Sequence, residues 1–276
     1  MLRLHDVLAD RFRVDSAIAE GGMGVVYRGV DLAHDSAPVA IKALRDGVVE
    51  NATRFAREAS ILSSIDHPGI VRYVAHGVSD TGSPYLVMRW LDGTTLSDHA
   101  TRVGLAPGEA IAIVRDVADA LGAAHARGLV HRDVKPDNIV LVAGDIARPV
   151  VIDFGLARHA MLDSRLTATG TVVGTPGYMA PEQARGERVL DGRTDVFALG
   201  CVLYECLGGV PAFGGRNAAA ILARIVLCEP PPLDVAWPTI PPSINLIIRR
   251  MMAKLRENRF ADGAEVAAAL AAIAID

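Results

Sequence analysis

The N-terminal third of the chain alternates short apolar runs with turn residues. Phe12-Arg13-Val14, Val25-Val26-Tyr27 and Pro38-Val39-Ala40-Ile41 are β-prone and closely spaced, and they predict strands of an antiparallel sheet. The period then changes: Phe55, Glu58, Leu62 and Ile65 recur at spacings of three, four and three, which predicts a helix from about Asn51 to Ile65. His67-Pro68-Gly69 ends it, and Ile70 to Val74 and Tyr85 to Met88 predict two more strands. Asp92-Gly93-Thr94-Thr95 marks a boundary, after which the pattern is mainly helical. Ile111, Val114, Val117, Ala118 and Leu121 place a long helix between Pro107 and Arg127. Ile139–Val142 and Val150–Ile152 predict a short hairpin, and the apolar stretch Phe197 to Phe213, interrupted by Glu205, a core helix. Arg216 to Asp276 reads as three helices, with a proline-rich loop, Glu229 to Pro242, after the first.

Two polar features break this pattern. His131-Arg132-Asp133-Val134-Lys135-Pro136-Asp137-Asn138 lies between Leu129-Val130 and Ile139-Val142, so a polar loop interrupts the core; such loops carry chemistry. Its Asp133, Lys135 and Asn138, with Asp153, offer two carboxylates, one cation and one amide, the inventory for holding Mg²⁺ on a polyphosphate and accepting a proton from an attacking hydroxyl. The plainer reading is a surface turn with an Asp–Arg salt bridge. The other feature is Glu58, inside its helix's apolar stripe. A carboxylate buried there requires a cation, and Lys42 is the natural partner, unless Glu58 reaches out to water from the stripe's edge. Between the first two strands, Ile18 to Val26 is a glycine-rich turn whose amides can approach phosphates closely, though hairpins also use glycine for conformation alone.

Composition narrows the partners. The chain has 276 residues, enough for two lobes sharing a cleft, with net charge −4 and scattered basic residues, so no nucleic-acid partner is expected. Cys201, Cys206 and Cys228 lack metal-ligand spacing and read as buried thiols in a reducing cytosol. The N-terminus has no signal-peptide core and the longest apolar stretch carries Glu205, so no membrane contact is expected from this segment.

The loop H-R-D-x-x-x-x-N followed by Asp153-Phe154-Gly155 resembles the catalytic core of protein kinases, and its Lys135-Pro136 pair the serine/threonine branch. The resemblance covers about residues 12 to 272 and is closest to bacterial eukaryotic-like (Hanks-type) kinases, to which G-G-M-G-V-V-Y and G-T-P-G-Y-M-A-P-E-Q point most strongly. It implies an α+β, bilobal kinase fold: a small antiparallel-sheet lobe with one main helix over about 12–91, and a larger, mostly helical lobe over 92–276. It also implies ATP with Mg²⁺ or Mn²⁺, and transfer of the γ-phosphoryl to serine and threonine hydroxyls of protein substrates.

Residue by residue, the resemblance makes Asp133 the base, Lys135 the neutraliser of phosphoryl charge, and Asn138 and Asp153 the metal ligands. Val39-Ala40-Ile41-Lys42 matches V-A-I-K, giving Lys42 to the phosphates and Glu58 to Lys42. The nucleotide set is completed by Ile18, Gly21, Gly22, Met23, Gly24, Val26, Ala40, Met88, Arg89, Leu91 and Val140. Ala19 stands where the pattern has its first glycine, Arg89 where the family usually has an acid, and Arg256 where it usually has proline. Thr167, Thr169 and Thr171 fall in the activation loop as phosphorylation sites, answered by Arg132; the alternative is a loop rich in threonine for flexibility. Thr175 is expected to bond within the catalytic loop, Asp195 to brace it or simply to cap its own helix, and Arg259 to pair with Glu182. A cytoplasmic domain, itself whole or cut from a longer chain, and a homodimer for trans-autophosphorylation follow from the resemblance; no residue pattern marks the dimer. The rivals are a pseudokinase that binds ATP as a scaffold, and a small-molecule phosphotransferase of related fold.

Overall fold

The computed structural model describes residues 2–21, 24–44, 52–154, 176–235, 237–238 and 240–273, with the side chains of 52–54 and 235 left out. The described chain forms two compact units: one runs to Asp66 and includes Val71–Leu91, the other takes His67–Ile70 and the described residues from Asp92 onward.

The first unit is a six-stranded antiparallel sheet, ordered β1-β2-β3-β4-β6-β5, with one helix. Its strands are β1 (Val7–Leu8), β2 (Phe12–Gly21), β3 (Gly24–Asp31), β4 (Ala37–Leu44), β5 (Tyr73–Val78) and β6 (Pro84–Arg89); the helix is α1 (Ala52–Ser63). Alternation decides the faces: Phe12, Val14, Val25, Tyr27, Val39, Ile41, Tyr85 and Val87 are buried in one cluster. The turns at Ala9-Asp10 and Asp35-Ser36 have consecutive left-handed residues, φ 51° and 51°, then 49° and 54°. Each pair forms the centre of a tight turn, closed by Arg11 N to Leu8 O at 3.0 Å and Ala37 N to His34 O at 2.8 Å, whose twist suits antiparallel strands, and Asp tolerates it better than most residues.

Two expectations need correcting here. β2 runs seven residues past Val14; its distal part buries no side chain and so lacks the apolar alternation that marks a strand. The strand expected over Ile70–Val74 is instead Tyr73–Val78; Ile70 and Val71 are apolar because they are buried, and Ile70 forms a lone parallel bridge to Val151 in the second unit.

The second unit is built on α3 (Pro107–His125) and α5 (Gly192–Gly208), with α2 (Leu96–Arg102), α4 (Pro181–Ala184), α6 (Ala218–Leu227), α7 (Pro242–Met251), α8 (Gly263–Ala271) and a small sheet ordered β7 (Gly93–Thr95), β8 (Ile139–Val142), β9 (Pro149–Val151). α5 is buried continuously from Thr194 to Tyr204 and stops at Gly209, φ 70°, short of the expected Phe213. α3 and α8 touch through backbone: a Cβ on Gly263 would lie 2.2 Å from Ala118 O, so only glycine allows the approach. Of the cysteines expected to be buried, Cys201 is, Cys206 is half-buried and Cys228 is exposed. Cys228 caps the end of α6, a helix on which Ile225 is the buried residue. Among the described residues, no helix is long and apolar enough to cross a membrane.

One ion pair ties the β1–β2 turn to the end of β3. Arg11 donates from Nε and Nη2 to Asp31 at 2.8 and 2.7 Å, and the Ala33 amide donates at 3.1 Å. The Arg11 hydrogen bonds pull the Asp31 carboxyl down to about 2. Its folded value lies below the unfolded one of about 3.9, so the stabilisation is complete above that pH and is lost as pH falls through the folded value. With Arg11 partly open to solvent, it is worth roughly 1 kcal/mol. Asp31→Asn is therefore expected to lower the thermal midpoint at pH 7, with the gap to the parent closing below about pH 4. A gap unchanged at the acid end would contradict this assignment.

Candidate active site

In the first unit, strand register gathers the expected nucleotide residues. Val26 lies opposite Lys42, and Ala40 opposite Met88, so Val26, Ala40, Lys42 and Met88 share the sheet face away from the core cluster. Lys42 is 8% exposed and Glu58, on α1, 9%, so Glu58 does not reach out to water, and each needs an opposite charge at that depth. Ile18, Gly21 and Arg89 are exposed, Leu91 is half-buried and Gly24 is buried. A Cβ on Gly24 would fall 2.0 Å from Ala43 O. Gly22 and Met23 lie outside the described residues. Ala19 is not among the described non-glycine residues with positive φ, so its Cβ meets no conformational penalty where the family pattern has glycine. Arg89 donates its amide to Arg72 O at 2.9 Å, and Trp90 its amide to Pro38 O at 3.3 Å under the Arg28 guanidinium.

In the second unit, the polar loop is fastened from below by Asp195, which is wholly buried in α5. Its Oδ2 accepts the His131 amide and its Oδ1 the Arg132 amide, both at 2.7 Å. The helix's N-cap is Asp191, which accepts from Arg193 N, so capping is not the task of Asp195. Burial works to raise the Asp195 carboxyl, but the hydrogen bonds it accepts from the His125 ring and the His131 amide outweigh it and hold the group below its ordinary value. Arg132 takes φ 65° and Asp153 φ 62°, left-handed backbone that costs a β-carbon residue of order 1 kcal/mol and needs support from its surroundings.

The loop's side chains then converge. Asn138 donates from Nδ2 to Asp133 O at 2.8 Å and lies 3.3 Å from Asp133 Oδ2; Lys135 Nζ is 3.6 Å from that same oxygen. Because Nδ2 faces a carbonyl, the amide's orientation is set and its Oδ1 is the atom left to bind a cation. Ile152 donates its amide to Asn138 O at 2.9 Å, continuing the β8–β9 ladder so that Asn138 lies opposite Ile152 and Asp153 follows one residue on. His131 accepts the Asp133 amide at Nδ1 and donates from Nε2 to Ile152 O at 2.9 Å, and its ring lies 4.6 Å from that of Phe154. Val140 is buried on β8. Thr167, Thr169, Thr171 and Thr175 lie outside the described residues.

A second buried charge is met by Thr194, the residue preceding Asp195. Glu182, on α4, receives Nη1 and Nη2 of Arg259 at 2.8 Å each and the Thr194 hydroxyl at 3.0 Å. Arg259 uses its remaining donors on Ala253 O, Arg193 O and Lys254 O and stacks on Phe197. Burial would raise Glu182, but Arg259 and Thr194 keep it below the usual carboxylate range.

Two residues of this frame were not among the expected site residues. Gln183 donates from Nε2 to Arg132 O at 3.0 Å, and its Oε1 accepts the Ala180 amide. His125, at the end of α3, donates from Nε2 to Asp195 Oδ2 at 2.9 Å. Gln183 follows Glu182 directly, which was a usable signal; His125 closes an apolar helix and offered none.

Removing one partner of the second pair leaves the other buried and unpaired. Arg259→Met is expected to cost about 3–5 kcal/mol in urea unfolding, and the double change Arg259→Met with Glu182→Leu to recover most of it. Equal losses in the single and double variants would show that the ionic contact is not what the frame depends on.

A family model of the protein kinase domain matches residues 12–270. The chain is 38% identical over 272 residues to the serine/threonine-protein kinase PknB of Mycolicibacterium smegmatis, covering 95% of this chain and 43% of that protein. It is 41% identical over 263 residues to the serine/threonine-protein kinase Pkn1 of Myxococcus xanthus, covering 94% of this chain and 37% of that one. The chain thus spans less than half the length of these relatives. Among solved structures, that of Rad53 1–466 in complex with AMP-PNP aligns with TM-score 0.75 and 25% identity, over 93% of this chain and 64% of that one. Loop, frame and match agree: the chain belongs to the protein kinase family, among relatives of the bacterial eukaryotic-like serine/threonine type.

Proposed function

We propose that the domain transfers the γ-phosphoryl group of ATP to serine and threonine hydroxyls of proteins. The observation that carries this reading is the convergence of Asn138 and Lys135 on Asp133 Oδ2, at 3.3 and 3.6 Å, on a loop fixed at its backbone. Asp133 accepts the proton of the incoming hydroxyl, and Lys135 sets a cation beside the moving phosphoryl group. Asn138 Oδ1 and the Asp153 carboxylate are a hard, two-oxygen donor set of the kind Mg²⁺ or Mn²⁺ takes when phosphate and water complete its shell. When bound, ATP supplies the phosphoryl group and the metal offsets the charge of its phosphates. In the first unit, Lys42 serves the phosphates and Glu58 holds Lys42. Ile18, Gly21, Gly22, Met23, Gly24, Val26, Ala40, Met88, Arg89 and Leu91 serve the nucleotide, and in the second unit Val140 does.

The same reading gives Thr167, Thr169 and Thr171 to autophosphorylation with Arg132 as the answering cation, Thr175 to the catalytic loop, and two copies of the domain to the trans reaction. It places the domain in the cytoplasm, where the exposed thiol of Cys228 stays reduced. A pseudokinase typically lacks one of Lys42, Asp133, Asn138 and Asp153, and all four are present.

Incubated with labelled ATP, Mg²⁺ and a generic basic protein, the domain is expected to incorporate phosphate, and Asp133→Asn to lose roughly 100-fold or more in rate while still binding ATP. Equal rates would end the assignment of Asp133 as the base. Peptide mapping of the autophosphorylated protein is expected to place phosphate on Thr167 or Thr169; a stoichiometrically labelled protein with both unmodified contradicts the regulatory part alone.

A further inference from the structure

The peptide that carries Asp133 is held from outside its own loop. Arg132 takes φ 65°, and a residue in left-handed backbone turns its carbonyl out of any regular ladder, so that carbonyl needs a donor from elsewhere. Arg132 O accepts from Gln183 Nε2 at 3.0 Å, across 51 positions of sequence. At the other end of the same peptide, the Asp133 amide donates to His131 Nδ1 at 3.2 Å. One residue on, Asp133 O accepts from Asn138 Nδ2 at 2.8 Å. The backbone is thus fixed on both sides of Asp133, and Gln183 is the contact that arrives from α4.

Gln183 is itself fixed. It is 6% exposed, and its Oε1 accepts the Ala180 amide at 3.0 Å. This is one half of a capping box, in which the third residue of a helix takes the amide of the residue that precedes the helix. With Oε1 committed, Nε2 is the donor and the orientation of the amide is set. The residue type is informative. Glutamate would cap α4 as well, and an acid suits the positive end of a helix better, but a carboxylate cannot donate to a carbonyl. Glutamine does both. Just ahead of Ala180, the Met179 amide donates to Pro176 O at 3.1 Å, closing the turn over Pro176–Tyr178. One side chain therefore joins the segment that leads into α4 to the peptide that leads into Asp133.

We propose that Gln183 is a positioning residue for phosphoryl transfer: its amide holds the carbonyl of the Arg132–Asp133 peptide against α4, and so sets the direction of the Asp133 carboxylate. The inference rests on the kinase reading above. The bond to Arg132 serves turnover, and the bond to Ala180 orients the amide that makes it.

Two substitutions separate the bonds. Gln183→Glu keeps the acceptor for Ala180 and sets an oxygen against Arg132 O; Gln183→Met fills a similar space and keeps neither bond. Asp31→Asn, in the first unit, is the control for lost stability alone. Two readouts are taken well below the thermal midpoints: kcat and KM for ATP, and hydrogen exchange of the Asp133 amide. Both Gln183 variants are expected to lose roughly tenfold or more in kcat, with KM changed less than about twofold, and to exchange the Asp133 amide faster. Asp31→Asn is expected to match the parent in both readouts. If Gln183→Glu turns over like the parent, capping of α4 is the whole role of the residue and the proposal fails. It fails also if Asp31→Asn loses as much kcat as the Gln183 variants, or if Gln183→Met leaves exchange at Asp133 unchanged. The exchange readout needs no turnover, so a parent domain without transfer activity would sink the kinase reading and still decide whether Gln183 holds this peptide.

Discussion

One buried carboxylate governs the second unit. A polar loop laid across an apolar core exposes backbone amides that water cannot reach, and each must find an acceptor. Asp195 offers two oxygens at zero exposure and takes the amides of His131 and Arg132. An uncompensated charge at that depth would be costly, and donors on three sides make it tolerable: two amides and the His125 ring. The loop is therefore anchored by its main chain, and its side chains are left available for chemistry.

The first turn of α5 extends the same logic to a neighbouring segment. Thr194 and Asp195 are adjacent, yet one hydroxyl turns to Glu182 and one carboxylate to the loop. Arg259 closes the arrangement by spanning Glu182 and Arg193 O, while Gln183 returns from α4 to Arg132 O. Two strongly held carboxylates thus meet at a single helical turn, Asp195 from within it and Glu182 from α4 through Thr194. Rigid support of this kind is what allows Arg132 and Asp153 to remain in left-handed backbone, a conformation neither would keep in an isolated loop.

Much of this was legible in the residues. Alternation located the inner strands because their faces are buried on one side, and the H-R-D and D-F-G stretches stood out as polar residues inside apolar runs. What escaped had weaker local signals. The outer part of β2 is a strand through pairing with β3, with little apolar surface of its own, and Ile70-Val71 looked like a strand because buried side chains and paired backbone draw on the same apolar residues. Cys228 could not be placed because an Ala-rich helix hides which face is inward. His125 was invisible for a different reason: its partners, Asp195 and Gly263, lie 70 and 138 residues away, and only the tertiary contact of α3, α5 and α8 joins them.

Departures from the family pattern follow the same division between backbone and side chain. Ala19 stands in a strand conformation that any residue adopts, so the missing glycine costs nothing there. Arg89 joins the sheet through its amide, which every residue but proline could provide, and its side chain is exposed. Arg256 is the instructive case, because proline restricts a turn covalently and arginine does not. Here the guanidinium donates from Nη1 to Val189 O at 3.1 Å and lies 4.0 Å from Glu187, tying its own turn to the segment between α4 and α5. A tether has replaced a ring. The turn that leads into Arg259 is held all the same, and the buried pair with Glu182 keeps its geometry because that pair needs the backbone in place and is indifferent to what holds it.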